Sequence, residues 1–202
     1  MLFRSVGGGH HRAMTPFTTL TSTVALLARD NVDTDTIIPS REMKSTGRTG
    51  LADGLFAPWR YTEDRTPDPD FILNQIPTAQ IIAGGTNFGC GSSREHAVWA
   101  LAEWGIRAVI AESFSPIFRG NCIRNGVLPV VLPKAAIAAM AGRDVTIDLA
   151  AQTADGHTFD ISAEDKMMLL EGLDGIDLTM KHAPAIAAFH AQDRAARPWV
   201  YL

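Results

Sequence analysis

The sequence is poor in cysteine, and this limits the metal chemistry that the chain can support alone. Of its 202 residues only two are cysteines, Cys90 and Cys122. Iron–sulfur clusters are held by about four thiolates, or about three where one iron stays open to substrate, so this chain cannot hold one by itself. The two cysteines also lack the spacing of a zinc site. We expect two buried free thiols rather than a disulfide, as in a cytosolic protein.

Two further features are missing, a long hydrophobic run and an excess of positive charge. No apolar run approaches the ~20 residues that a membrane span needs. The net charge of -4 gives no broad basic surface for nucleic acid. With 46% hydrophobic and 20% charged residues, the chain suits one globular domain with a real core. We therefore expect a cytoplasmic protein with neither a membrane nor a nucleic-acid partner.

The N-terminal residues differ in composition from the rest of the chain. Residues 1–13 are rich in glycine and histidine and contain no acidic residue, and Met14 offers a second plausible start. We predict that residues 1–16 are a disordered extension and that residues 17–202 form a single domain. A transit peptide would share the basic character, but this segment is short, poor in serine and without a clear amphipathic helix.

One ten-residue segment, residues 87–96 with the sequence NFGCGSSREH, carries most of the functional information. The apolar residues before it, at 79–83, predict a buried strand. The apolar residues after it recur at helical spacing: Ala97, Ala100, Leu101 and Trp104. Ser92 with Glu95 fits a capping box and Gly105 fits a helix stop, so the helix should begin near Ser92 or Ser93.

This strand–loop–helix junction predicts an oxyanion-binding site. The first N–H groups of a helix and its dipole favour a carboxylate or phosphate. The loop would be supported by Gly89, Cys90 and Gly91. The two glycines let the backbone turn sharply and approach a ligand. Arg94 can grip a carboxylate through two parallel hydrogen bonds, and the hydroxyls of Ser92 and Ser93 complete the set.

Other interpretations of this loop remain open. Glycine-rich turns with serine caps are common structural features of α/β domains. A dinucleotide site is disfavoured, because Arg94 stands where that fingerprint needs a small residue. A serine hydrolase is disfavoured too, since no Gly-x-Ser-x-Gly elbow precedes the helix. His96 projects about 200° from Arg94 on a helix and should pack or bond locally rather than act as a base.

The rest of the chain alternates strands and helices. Strands are predicted at 107–112 and 127–132, a helix at 114–121, a hairpin through the turn Asp155-Gly156 within 144–161, and helices at 164–172 and 178–192. This pattern indicates an α/β fold with parallel central strands and an antiparallel part.

Two polar segments remain. Asp33 and Asp35 would share one face of an extended segment and could bind a metal or exchange protons, but turn and capping roles are more common for such residues. Residues 40–70 form a long irregular connection that includes Arg41 and Arg48. Long loops of this kind tend to be functional or mobile.

Residues 87–96 resemble the signature of the swivelling domain of the aconitase superfamily, most closely in the small subunits of 3-isopropylmalate dehydratases. Three further segments, at 31–39, 48–61 and 113–129, agree in order and spacing. The resemblance extends from about residue 17 to the C-terminus. It implies a three-layer swivelling β/β/α domain with a parallel central sheet and an additional antiparallel part.

The resemblance also implies a function. Such chains belong to a hydro-lyase that interconverts 2-isopropylmalate and 3-isopropylmalate by dehydration and rehydration in leucine biosynthesis. The alkoxide of Ser92 would be the base, Ser93 and Arg94 would hold a substrate carboxylate, and Arg48 with Thr49 would recognise the substrate side chain. A [4Fe–4S] cluster would be carried by a large subunit, so this chain would bind none alone and act only within the heterodimer.

Two alternatives stay open. Related small subunits act on homoaconitate, citraconate or dimethylmalate with the same Ser-Ser-Arg loop and differ mainly at residues 40–50, where Arg48-Thr49 favours isopropylmalate. The chain could instead be an anion-binding module without chemistry.

Overall fold

The protein is described by a computed structural model in residues 14–43, 47–91 and 94–201. The predicted roles of Ser92 and Ser93 therefore fall on residues outside the described ones. The strands are β1 (Thr19–Leu26), β2 (Ile81–Ala83), β3 (Ala108–Ala111), β4 (Leu128–Val131), β5 (Asp144–Asp148), β6 (Thr153–Ala154) and β7 (His157–Thr158). The helices are α1 (Thr34–Ile37), α2 (Ala57–Arg60), α3 (Ile72–Gln75), α4 (Glu95–Trp104), α5 (Pro116–Arg124), α6 (Lys134–Met140), α7 (Ala163–Glu171), α8 (Gly175–Met180) and α9 (Ala183–Ala196).

The strands form a seven-stranded sheet in the order β4-β3-β2-β1-β5-β6-β7. Strands β1 to β4 run parallel, with Val24 opposite Ile81 and Ile81 opposite Ala108. From β5 onward the pairing is antiparallel. The predicted fold class, a parallel central sheet with an additional antiparallel part, is confirmed.

The central strands are short and apolar because helices cover both faces of the sheet. Every residue of β2 and β3 is buried, as parallel strands between two helical layers require. Ile82 and Val109 pack in one core with residues of α4 and α5, whereas Ile81 and Ile110 pack in the other with α6 and α7. The sheet is therefore the middle of three layers.

The C-terminal third confirms one prediction and corrects another. Asp155 and Gly156 both have positive φ, 48° and 81°, as a tight hairpin turn between β6 and β7 needs. The single helix predicted at 178–192 is instead two helices, α8 and α9. The second begins anew because Pro184 lies in its first turn, where a missing N–H is tolerated and the fixed φ suits a helix start.

The helices α8 and α9 contribute little to the core, where only the partly buried Leu178 of α8 packs against it among their described residues. None of their residues is buried, and large apolar side chains such as Ile176 (62% exposed) and Phe189 (59% exposed) face outward. Within the described ranges no helix is both long and apolar enough to cross a membrane.

The described parts of the long connection, residues 40–43 and 47–70, contain more regular structure than the sequence pattern predicts. It contains short helical turns at Ser40–Glu42 and Ala52–Gly54 besides α2. The buried Glu42 carboxylate accepts two hydrogen bonds from Arg65 at 2.8 and 3.1 Å. Arg60, only 3% exposed, donates to the Ala52 carbonyl oxygen at 2.8 Å. These two arginines hold the connection in place.

Residues 14–16 lie against the domain. The Arg107 guanidinium donates to the carbonyl oxygens of Thr15 and Pro16 at 3.0 and 3.2 Å. The boundary at residue 16 and the state of the residues before Met14 stay predictions.

Candidate active site

The site forms where the loops after β1, β2 and β3 meet at one edge of the sheet. Because these strands are parallel, their carboxyl ends lie side by side, a common position for ligand sites in α/β sheets. The pairing continues beyond the strands. The Thr34 N–H donates to the Cys90 carbonyl oxygen at 2.9 Å, and the Phe88 N–H donates to that of Ser113 at 2.9 Å. The glycine-rich loop is thus fixed between its two neighbours.

Gly89 is a structural member of this loop. Its N–H donates to the Val32 carbonyl oxygen at 2.7 Å and is therefore committed to the loop rather than to a ligand. Its φ is +74°, and a Cβ built on it would lie 2.0 Å from Cγ of Phe118. Gly91, with φ of +89°, has more room, because a Cβ there would meet its nearest atom, on Asp33, at 3.5 Å.

Replacement of these two glycines should separate steric clash from backbone strain. Gly89→Ala should lower the free energy of unfolding by about 3 kcal/mol or more, since overpacking adds to a strained φ. Gly91→Ala should cost about 1–2 kcal/mol, from the positive φ alone. Urea denaturation of both variants measures the difference, and equal losses would contradict this assignment of the two positions.

The helix after the loop begins later than predicted. Helix α4 starts at Glu95, and Arg94 is its N-cap residue in an extended conformation, without a side-chain cap bond. The start near Ser92 or Ser93 was wrong by two or three residues. The Glu95 carboxylate accepts from Asn125 Nδ2 at 2.9 Å, while its predicted bond to Ser92 involves a residue outside the described ones. The extended backbone lets the Arg94 side chain reach tertiary partners.

Those partners are Asp35 and Ser40. The Arg94 Nη1 group lies 2.5 Å from Asp35 Oδ1 and donates to Ser40 Oγ at 2.7 Å. The guanidinium is 26% exposed, so it still faces solvent. It borders a narrow crevice, also lined by Gly91, Ser115 and the buried Asn121, that is too tight to admit even a water molecule. A carboxylate could therefore reach Arg94 only at the exposed part of its guanidinium, whose planar fork suits such a ligand.

The two aspartates before α1 have different roles. Asp33 is the N-cap of α1 and accepts from the Thr36 N–H at 2.6 Å, which confirms the capping interpretation. Asp35 lies in the helical turn and pairs with Arg94, so the two carboxylates do not share the face of an extended strand. This ion pair was not predicted from the sequence, where the only available signal was the Asp-x-Asp pattern itself.

Both cysteines are free thiols. Cys122 is fully buried, as expected, but Cys90 is only partly buried. Burial, followed by the nearby Asp33 carboxylate, raises the pKa of the Cys90 thiol, and burial raises that of Cys122. Among the residues that the structure describes, no three His, Cys, Asp or Glu side chains are grouped as metal ligands. Two thiols are fewer than the three or four ligands, roughly, that an iron–sulfur cluster requires.

Arg48 and Thr49 lie on the surface beside α4. The Arg48 guanidinium stacks over the Trp99 ring at 5.0 Å from its centroid. The His96 ring also packs near Trp99, with centroids 4.6 Å apart, which agrees with a local role for this histidine. The Arg48 guanidinium thus lies against the helix that follows the anion loop.

Comparison with known proteins shows where this architecture occurs. The model of the aconitase C-terminal domain matches residues 14–135, and that of the C-terminal domain of 3-isopropylmalate dehydratase small subunits matches residues 176–201. A curated 3-isopropylmalate dehydratase small subunit of Cupriavidus necator is 52% identical, with 93% of this chain and 99% of that protein covered. Its counterpart from Xanthobacter autotrophicus is 47% identical, with 93% and 100% covered.

The chain belongs to the family of 3-isopropylmalate dehydratase small subunits. A crystal structure of a 3-isopropylmalate dehydratase from Methanocaldococcus jannaschii has the same fold, with a TM-score of 0.65 and 28% identity. The superposition covers 98% of the Methanocaldococcus jannaschii chain and 84% of this chain. The resemblance inferred from residues 87–96 is therefore confirmed at the level of the family.

Proposed function

We propose that this chain, with a large subunit, interconverts 2-isopropylmalate and 3-isopropylmalate by dehydration and rehydration. As a member of its family it is a subunit of a hydro-lyase, in the biosynthesis of leucine. The observation that carries the proposal is the glycine loop at the carboxyl edge of the sheet, with the Arg94 guanidinium held beside it by Asp35 and Ser40.

Arg94 is proposed to bind a carboxylate of the substrate. Its Nη1 group is engaged by Asp35 and Ser40, which fixes the plane of the guanidinium. The opposite edge, Nε with Nη2, can then form two parallel hydrogen bonds to a carboxylate. Ser93 is proposed to add a hydroxyl donor to the same group. Gly89, Cys90 and Gly91 are proposed to hold the loop that brings these residues together.

Ser92 is proposed to be the base. As an alkoxide it takes the proton from the carbon next to a substrate carboxylate, while the hydroxyl group leaves the neighbouring carbon. Re-addition of water with the two carbons exchanged gives the isomer. A serine hydroxyl is a very weak acid, so its alkoxide needs stabilisation by nearby N–H donors and by Arg94, as in an oxyanion hole.

The partner is proposed to be the large subunit, which would carry a [4Fe–4S] cluster. The name of the family implies a large partner chain. Such a cluster would supply Lewis acidity for the departure of the hydroxyl group. This chain would contribute Arg94 and Ser93, which bind the substrate carboxylate, and Ser92, which removes the proton. We also propose that the complex works in the cytoplasm.

Arg48 and Thr49 are proposed to recognise the substrate side chain. Arg48→Ala should lower the preference for isopropylmalate over citrate and homocitrate analogues by about tenfold, the effect of losing one favourable contact of about 1.4 kcal/mol. Kinetic constants of the reconstituted pair on each substrate measure this preference. An unaltered preference would remove Arg48 from the recognition loop.

Co-expression with the large subunit and an anaerobic assay across hydroxy-diacids test the proposed function. We expect isomerisation of isopropylmalate to be the preferred reaction. A higher kcat/KM for homoaconitate, citraconate or dimethylmalate would assign the chain to a related hydro-lyase instead. A chain that binds diacids but forms no active complex would be a non-catalytic anion-binding module.

A further inference from the structure

One partly exposed face of α4 connects the anion loop with the segment that carries Arg48. Glu95, Trp99 and Glu103 are spaced by four residues, so their side chains follow one another along the same face of the helix. The opposite face, which includes Val98 and Leu101, is buried in the core. This partly exposed face spans about 12 Å along the helix axis. Its first residue, Glu95, directly follows Arg94.

Glu103 binds the backbone of the recognition segment. Its Oε1 accepts from the Gly50 N–H at 2.6 Å, and its Oε2 accepts from the N–H groups of Leu51 and Ala52 at 2.6 and 2.9 Å. Three successive amides thus converge on one carboxylate, in a geometry typical of an anion held by backbone donors. Partial burial raises the pKa of this carboxyl, but the three hydrogen bonds outweigh it and hold the pKa below its usual value. The carboxylate is therefore ionised throughout the neutral range.

Trp99 supports the Arg48 side chain one turn nearer to the anion loop. The guanidinium lies 5.0 Å from the centroid of the Trp99 ring, and a stacked guanidinium keeps its in-plane N–H groups available to a ligand. The ring is itself held, because Trp99 Nε1 donates to Asn125 Oδ1 at 3.0 Å and Asn125 Nδ2 donates to Glu95. The position of Arg48 is thus linked to the start of α4.

We propose that Glu103 is a positioning residue for substrate recognition, which fixes the backbone at residues 50–52 so that Arg48 rests on Trp99 beside the anion loop. This inference rests on the proposed function, because it assigns Glu103 to the recognition of the same substrate. Glu103 does not touch the substrate and acts through Arg48. Its three hydrogen-bond partners belong to the connection at 40–70. This one carboxylate therefore fixes the position of residues 50–52 relative to α4.

Hydrogen exchange on the chain alone tests the anchor without any activity. In Glu103→Gln the side-chain NH2 group replaces one of the two acceptor oxygens, so at least one backbone N–H of the three loses its acceptor. Exchange at residues 50–52 should become about tenfold faster, as expected when about one net hydrogen bond is lost. Glu63→Gln removes an exposed charge from the same connection and should leave this exchange unchanged. Equal exchange at residues 50–52 in Glu103→Gln and wild type would overturn the proposal.

A double-mutant cycle in the reconstituted pair tests the recognition role. Glu103→Gln should raise KM for 3-isopropylmalate about tenfold, the kinetic equivalent of one lost contact, and change kcat by less than about twofold. The ratio of kcat/KM for 3-isopropylmalate to that for 3-methylmalate should also be lower in the Glu103→Gln variant than in the wild type. In an Arg48→Ala background the same change should have no further effect on this preference, since the two residues act as one unit. Additive effects would overturn the proposal.

Trp99 variants provide the conservative comparison. Trp99→Phe keeps an aromatic face under the guanidinium and should retain more of the substrate preference than Trp99→Leu, which offers none. Equal preference in both variants would contradict the role of the ring. If the wild-type pair fails to isomerise isopropylmalate, the proposed function and the recognition role fall together, whereas the exchange result still decides whether Glu103 anchors the segment.

Discussion

Ser92→Ala in the reconstituted pair should lower kcat by about 10³-fold or more, because it removes the proposed base of the elimination step. Folding and association with the large subunit should be unchanged, since only one oxygen atom is lost. KM should change little if Ser93 and Arg94 still hold the carboxylate. Steady-state kinetics under anaerobic conditions, with complex formation followed by gel filtration, measure these quantities.

A serine with a purely structural role provides the control. Ser162 caps α7 and accepts from the Asp165 N–H at 3.1 Å. Ser162→Ala should cost about 1 kcal/mol of stability, as the loss of a helix cap does, but change kcat by less than about twofold. Near-wild-type turnover in Ser92→Ala would refute the assignment of the base.

Arg94→Lys should raise KM about 10- to 100-fold, since an ammonium group cannot form the two-pronged contact with a carboxylate. A lysine also cannot bond Asp35 and Ser40 while it presents a planar edge to the substrate, so the remaining contact should be poorly oriented. The stability of the chain should fall only slightly, because Asp35 is 54% exposed and such surface ion pairs contribute little. KM and kcat for isopropylmalate measure the effect.

Arg143→Lys is a matched control for that substitution. Arg143 donates to the Ala139 carbonyl oxygen at 2.9 Å and lies 3.3 Å from Asp155, in the antiparallel part of the sheet. Its replacement should leave both kinetic constants unchanged. If Arg94→Lys behaves like this control, Arg94 does not hold the substrate.

The local features of the fold were predictable because they depend on neighbouring residues. The apolar run before the loop predicted β2, and Gly105 predicted the end of α4, where its φ of +108° requires glycine. The turn at Asp155-Gly156 predicted the hairpin for the same kind of reason. The family was predictable as well, since residues 87–96 form a specific pattern within one short segment.

The features that depend on distant residues were not predictable. The start of α4 was misplaced because Arg94 is drawn out by Asp35 and Ser40, which the chain places more than fifty residues earlier. Glu103 has the pattern of a solvated charge on a helix, and its three partners lie 51 to 53 residues away in sequence. A single sequence carries no signal for such contacts. The helical turns at Ser40–Glu42, Ala52–Gly54 and Ala57–Arg60 were missed for this reason too.

We propose that the active site is divided between this chain and the large subunit. The most direct test compares the isomerisation rate of isopropylmalate for each chain alone with the rate for the mixture. With both chains prepared without oxygen, we predict turnover for the mixture and none for either chain alone, with saturation at equal amounts of the two. Turnover by this chain in the absence of the large subunit would contradict the proposal, because its two free thiols cannot hold the required cluster.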